Sequence, residues 1–103
     1  TKSIKSMSTQ IEETLKRIQS HRGVKGVLIV NSDGVPIRST LSQESTETYA
    51  ALLSQLAFKA SSVIRTLDET DGLSFLRLRS HKEEIMVAPD RDYLLIVVQR
   101  HEL

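Results

Sequence analysis

Val24-Lys25-Gly26-Val27-Leu28-Ile29-Val30-Asn31 is the stretch that decides the fold. Its centre, Val27 to Val30, is an unbroken aliphatic run with no polar residue to mark a wet face. Such a run predicts a strand covered on both faces, with one layer packed above it and another below. Ser32-Asp33-Gly34 follows and predicts a tight turn, because glycine tolerates positive φ. The chain then returns over Val35 to Thr40. Pro36 cannot donate to a ladder, so this second strand is predicted at a sheet edge.

Toward the N-terminus, Thr9 and Glu12 have the S/T-x-x-E spacing of a capping box, which predicts a helix starting near Thr9. Ile11, Leu15 and Ile18 recur at i, i+4, i+7 among charged neighbours, a narrow amphipathic stripe. Gly23 stands where a C-terminal cap would. Residues 1–8 are read as an extension or tag remnant, with no signal-peptide character. Residues 9–103 are read as a single domain.

Toward the C-terminus comes the strongest periodicity. Tyr49, Leu52, Leu53, Leu56, Ala60, Val63, Ile64 and Leu67 follow helical spacing, predicting a long helix from about Ser45 to Asp68. Asp71-Gly72 breaks it. Three strands are then expected over Leu73–Arg79, Glu84–Ala88 and Tyr93–Gln99, the last another run apolar on both faces. The order αββαβββ implies an α+β domain. It has a five-stranded, mainly antiparallel sheet, with the long helix on one face and the short helix on the other. The two fully apolar strands belong together at its centre.

The chain has 103 residues, 14 Lys and Arg against 13 Asp and Glu, and no cysteine. That length suits one domain. The balanced charge makes no electrostatic case for nucleic acid or an anionic membrane, and neither is expected as a partner. Without cysteine there is no disulfide framework and no thiolate metal site. No phosphate-loop glycine pattern and no G-x-S-x-G elbow occurs. His21, His81 and His101 lie in separate polar segments without zinc-ligand spacing. Asp90 and Asp92 sit in a Pro-Asp-Arg-Asp run that suits a turn better than acid–base work. No enzyme activity, catalytic residue, metal or cofactor is expected.

The long helix has an unusual outer face. At about 100° per residue, with Tyr49 and Leu67 set at the core centre, Phe58 falls opposite. Ala51, Ser54, Gln55, Ser61, Ser62 and Arg65 surround it, where a solvated face usually carries Lys and Glu. Small residues around one aromatic knob fit a helix–helix contact, most simply self-association about a two-fold axis. Leu73, Phe75 and Arg77 share the face of a strand whose edge is open to pairing. These ten residues are the expected dimer interface.

Several long runs resemble roadblock-type dynein light chains. They are Glu12 to Ser20, Asn31 to Ile37, Phe75 to Ser80 and Glu84 to Tyr93, completed by the Tyr93–Gln99 strand. The resemblance covers about residues 10 to 99. It implies the roadblock αββαβββ fold and a homodimer in which long helices pair and a strand joins the two sheets. It also implies a non-catalytic light chain that binds the dynein intermediate chain and helps assemble a cargo-binding subcomplex. The setting would be the cytoplasm and its microtubule cytoskeleton, or an axoneme. A heterodimer with a paralogue stays open. Ile11, Leu15 and Ile18 are the expected partner-binding positions. Other roadblock-fold proteins act as scaffolds or regulators of small GTPases, which is the alternative. The Leu41–Thr48 loop and the Phe58 face depart from the family's pattern.

Overall fold

Val24–Asn31 forms β1, and every residue from Gly26 to Val30 is buried. The structure, a computed structural model, describes residues 2–101, with side chains from Thr9 onward. Thr1 of the expected extension and residues 102–103 of the expected domain lie outside the described residues. The elements are α1 (Lys2–Gln19), β1, β2 (Pro36–Ser39), α2 (Gln43–Leu67), β3 (Leu76–Arg79), β4 (Glu83–Pro89) and β5 (Tyr93–Arg100). One sheet of order β2-β1-β5-β4-β3 contains all five strands. Every neighbouring pair is antiparallel. β1 and β5, the two apolar runs, lie side by side with Leu28 opposite Ile96.

Strand alternation divides the core into two layers. Leu28, Val30, Val87, Ile96 and Val98 point toward α2 and meet Ala50, Leu53 and Ala57. Val27, Ile29 and Val97 point the other way and meet Leu15 of α1. This is the two-sided cover that the run from Val27 to Val30 demanded. Among the described residues, no helix is long and apolar enough to cross a membrane.

Local chemistry explains the connections. The β1–β2 turn closes on Asn31, whose Oδ1 accepts from the Asp33 and Val35 amides at 2.9 and 3.0 Å. Gly34 completes the turn at φ +83°, a conformation that disfavours side chains. Gly26 serves a different need: a Cβ there would overlap the Leu41 side chain, which lies over β1. α2 is capped by Ser42, whose Oγ accepts from the Ser45 amide at 3.2 Å. The buried Thr46 hydroxyl meets Ser39 Oγ at 2.6 Å and ties the first turn of α2 to β2.

The structure corrects several boundaries. α1 begins at Lys2, so Thr9 lies inside the helix and caps nothing. No glycine or proline precedes Gly23, so nothing halts the helix where the capping box was expected. Glu12, the expected box partner, instead accepts from Arg38 Nε of β2 at 2.7 Å. α2 starts at Gln43, not Ser45, because Ser42 is the cap. β3 starts only at Leu76, so Leu73 and Phe75 precede the strand instead of belonging to it. β2 is shorter than Val35–Thr40 and, as Pro36 required, lies at an edge.

Candidate assembly interface

Helix α2 has 25 residues, about 37 Å at 1.5 Å per residue. The longest strands have 8 residues, about 26 Å at 3.3 Å per residue. The helix is longer than the sheet beneath it. Its buried positions, Thr46, Ala50, Leu53 and Ala57, all lie in its first fifteen residues. Beyond Ala57 no residue of α2 is fully buried. The small Ala50 and Ala57 let the helix backbone approach the strands closely, which sets the core line through them.

This line overturns one sequence expectation. Tyr49 and Leu67 were set at the core centre, with Leu52, Leu56 and Val63 among the core positions. Leu67 is 78% exposed and Leu52 62%, and Leu56 and Val63 are also exposed. Periodicity found the apolar residues but could not tell two apolar stripes apart. One stripe meets the chain's own sheet. The other, through Leu52, Leu56, Val63 and Leu67, is open.

Tyr49 shows which way the open stripe points. It shares the helical spacing of Leu52, Leu56 and Val63, and its hydroxyl donates to Glu83 at the start of β4. At its Tyr49 end the open stripe therefore lies on the flank of α2 that faces β4. Partial burial pushes the Tyr49 hydroxyl pKa up, and its hydrogen bond to Glu83 adds to that. The Lys25 ammonium beside Glu83 holds its carboxyl below the usual value. Glu83 in turn raises Lys25.

β3 ends the sheet, so its outer edge has no strand partner among the described residues. The opposite edge, β2, is blunted by Pro36. Just before β3, Phe75 is exposed, and the Arg77 guanidinium stands 5.7 Å from its ring centroid. Glu84 on β4 pairs with Arg77 at 3.3 Å and with Arg79 at 2.7 Å.

The expected interface residues divide between two places. Phe75 and Arg77 stand beside the free edge, with Leu73 half-buried nearby. Phe58 is 78% exposed, but it lies roughly 160° around the helix from Leu56. It lines a groove of about 200 Å³ with Ser54 and Ser61, against the β1–β2 and β4–β5 turns. Ser54 Oγ donates to the Ala50 carbonyl within its own helix. Ala51, Gln55, Ser62 and Arg65 are exposed. Leu52, Leu56 and Val63 are exposed where the sequence predicts core, because their helical spacing is also that of a core face.

Ile11, Leu15 and Ile18 were expected to meet a partner. Leu15 is buried, and all three pack in the core layer of Val27, Ile29 and Val97. Ile11 and Ile18 are only partly buried against the chain's own sheet. The surface left beside them is a shallow groove of about 320 Å³, lined by Ile11, Thr14, Ile29, Tyr93 and Leu95 among others. Among the described residues, no group of three or more His, Asp or Glu is placed to hold a metal ion.

Comparison with known proteins agrees with this architecture. The family model for the Roadblock/LC7 domain matches residues 10–100. The Roadblock/LC7 domain from Streptomyces avermitilis superposes with a TM-score of 0.76 at 17% identity, covering 82% of this chain and 72% of that one. Myxococcus xanthus MglB superposes at 0.77 and 17% identity, covering 90% and 77%. The gliding protein MglB from Thermus thermophilus superposes at 0.73 and 16% identity, covering 85% and 69%. At these identities the structures share a fold with this chain. The family match spans nearly all of it, and the chain belongs to the Roadblock/LC7 domain family.

Proposed function

We propose that the protein is a non-catalytic adaptor that works as a homodimer. One observation carries this reading: α2 leaves Leu52, Leu56 and Val63 exposed as an apolar stripe, over a sheet that ends in the open edge of β3. A two-fold axis past that edge brings two copies of the stripe together and lets two β3 strands pair. Both the apolar surface and the unpaired backbone groups are then covered at once. Phe75 and Arg77 stand at the same seam. The dimer doubles every partner site, so two tethered copies of a partner segment bind at raised effective concentration. The groove beside Ile11, Tyr93 and Leu95 is the partner surface proposed here.

The finer identity divides between two readings. The runs Glu12–Ser20, Phe75–Ser80 and Glu84–Tyr93 resemble roadblock-type dynein light chains, which favours a segment of a dynein intermediate chain and a place on microtubule-based motors. The solved neighbours are bacterial roadblock and gliding proteins, which favours the scaffold or regulator of a small GTPase. Affinity capture with the tagged chain separates them. Recovery of dynein subunits carries the first reading. Recovery of a GTPase in a nucleotide-dependent manner carries the second. Sedimentation of the purified chain as a monomer at micromolar concentration would overturn the dimer on which both depend.

A further inference from the structure

At the end of the sheet away from the Ser32–Gly34 turn, four adjacent strands bring cations to one place. Lys25 lies near the start of β1, Arg100 ends β5, Arg79 ends β3, and Lys82 sits in the β3–β4 turn. With His81 and His101 they line an open notch of about 990 Å³. Among the described residues, the lining holds a single carboxylate, Glu83. Lys25 is paired with Glu83, and Arg79 with Glu84. Lys82 and Arg100 have no ion-pair partner among the described residues.

The notch has a fixed backbone. Ser80 Oγ accepts from the Glu83 amide at 2.9 Å, closing the β3–β4 turn. The His101 amide donates to the Lys82 carbonyl at 2.8 Å, and the Arg100 amide to the Gly23 carbonyl at 2.8 Å. The turn, the end of β5 and the approach to β1 are therefore held together, and the cations rest on ordered chain. The charge is also local. The whole chain carries a formal net charge of only +1, so the remainder, including Asp33, Asp90 and Asp92 at the opposite turns, is net acidic.

We infer that this notch docks an acidic peptide segment. The spacing selects the ligand. From β1 to β3 there are three strand intervals, about 14 Å at 4.8 Å each. A lone phosphate reaches only part of such a row, while a chain with spaced carboxylates can meet Arg100 and Lys82 together and run on past Lys25 and Arg79, which keep Glu83 and Glu84. The concave shape suits a segment better than a flat lipid surface. The notch lies at the strand ends, bordering α2 through the Tyr49–Glu83 contact and β3 through Arg79, and a peptide site there goes beyond the proposed dimer.

The test is an NMR titration of the full chain with four probes: a short unstructured glutamate-rich peptide, its glutamine counterpart, inorganic phosphate, and phosphatidylserine vesicles. The glutamate peptide should shift the amides of Ser80 to Glu83 and of Arg100 and His101, and the glutamine peptide should not. Lys82→Glu with Arg100→Glu should weaken binding by about tenfold or more, and Lys82→Gln with Arg100→Gln by less, with spectra otherwise unchanged. The proposal is overturned by absence of binding at millimolar peptide, or by binding indifferent to the charge reversal. Phosphate or vesicles binding as tightly as the peptide would overturn it equally.

Discussion

The Tyr49 hydroxyl lies 2.9 and 3.1 Å from the two carboxylate oxygens of Glu83. This one contact joins α2 to β4 across 34 residues of sequence and sets the Tyr49 end of the exposed stripe beside β4. Removing the hydroxyl leaves the ring in place and takes away a half-buried hydrogen bond. Tyr49→Phe should cost about 1 kcal/mol. That lowers Tm by roughly 4–8 °C in a domain of this size, read by calorimetry.

Glu83 also gives the fold an acid limb. Chiefly through its hydrogen bond from Lys25, its carboxyl is held below the ordinary value of 4.5. The folded state thus binds that proton less readily than the unfolded chain. The resulting stability is present above pH 4.5 and is lost as the pH falls through the lowered folded value. Glu84 acts in the same direction, held down first by Arg79. Denaturant midpoints measured from neutral pH downward should fall below pH 4.5, and Glu83→Gln should flatten that fall. An unchanged slope in the variant would contradict the assignment.

Assembly should respond to one flank of α2 and not the other. Leu52→Lys with Leu56→Lys places charge in the proposed seam. Each aliphatic side chain contributes about 1.5–3 kcal/mol when buried, so dimer dissociation should rise by roughly a hundredfold or more. Phe58→Lys, on the far flank, should leave the sedimentation coefficient unchanged. The reverse pattern would return the interface to the Phe58 face.

Gly26 should tolerate nothing larger. A methyl group there meets the Leu41 side chain, which must shift to admit it. Gly26→Ala should cost about 1–3 kcal/mol by overpacking. Leu41→Ala in the same chain should recover part of that loss, which a double-mutant cycle measures.

Arg38 and Glu12 make the opposite case. Their ion pair at 2.7 Å links β2 to α1, but both side chains are about half exposed. Solvent and salt screen such a pair, so Arg38→Gln should change stability by less than about 1 kcal/mol in thermal melts.

Much of this architecture was legible in the residues. The aliphatic runs at Val27–Val30 and Leu94–Val98 determined two strands covered on both faces. Pro36 put β2 at an edge. Together these settled the element order, the sheet class and the two-layer cover, because strand and turn chemistry act over a few neighbouring residues. Tertiary structure decided which apolar residues of α2 are core and which are surface. Leu53 and Leu56 have the same chemistry and lie three positions apart, yet one is buried and the other exposed. That difference depends on where a helix of about 37 Å rests on a shorter sheet, set by Ala50, Ala57 and the Tyr49–Glu83 contact. The gathering of Lys25, Arg79, Lys82 and Arg100 at one end of the sheet is likewise a product of strand order, since these residues are scattered over 76 positions of the chain. Hydrophobic spacing records that a side chain seeks cover; only the packed chain shows whether its own sheet or a second molecule provides it.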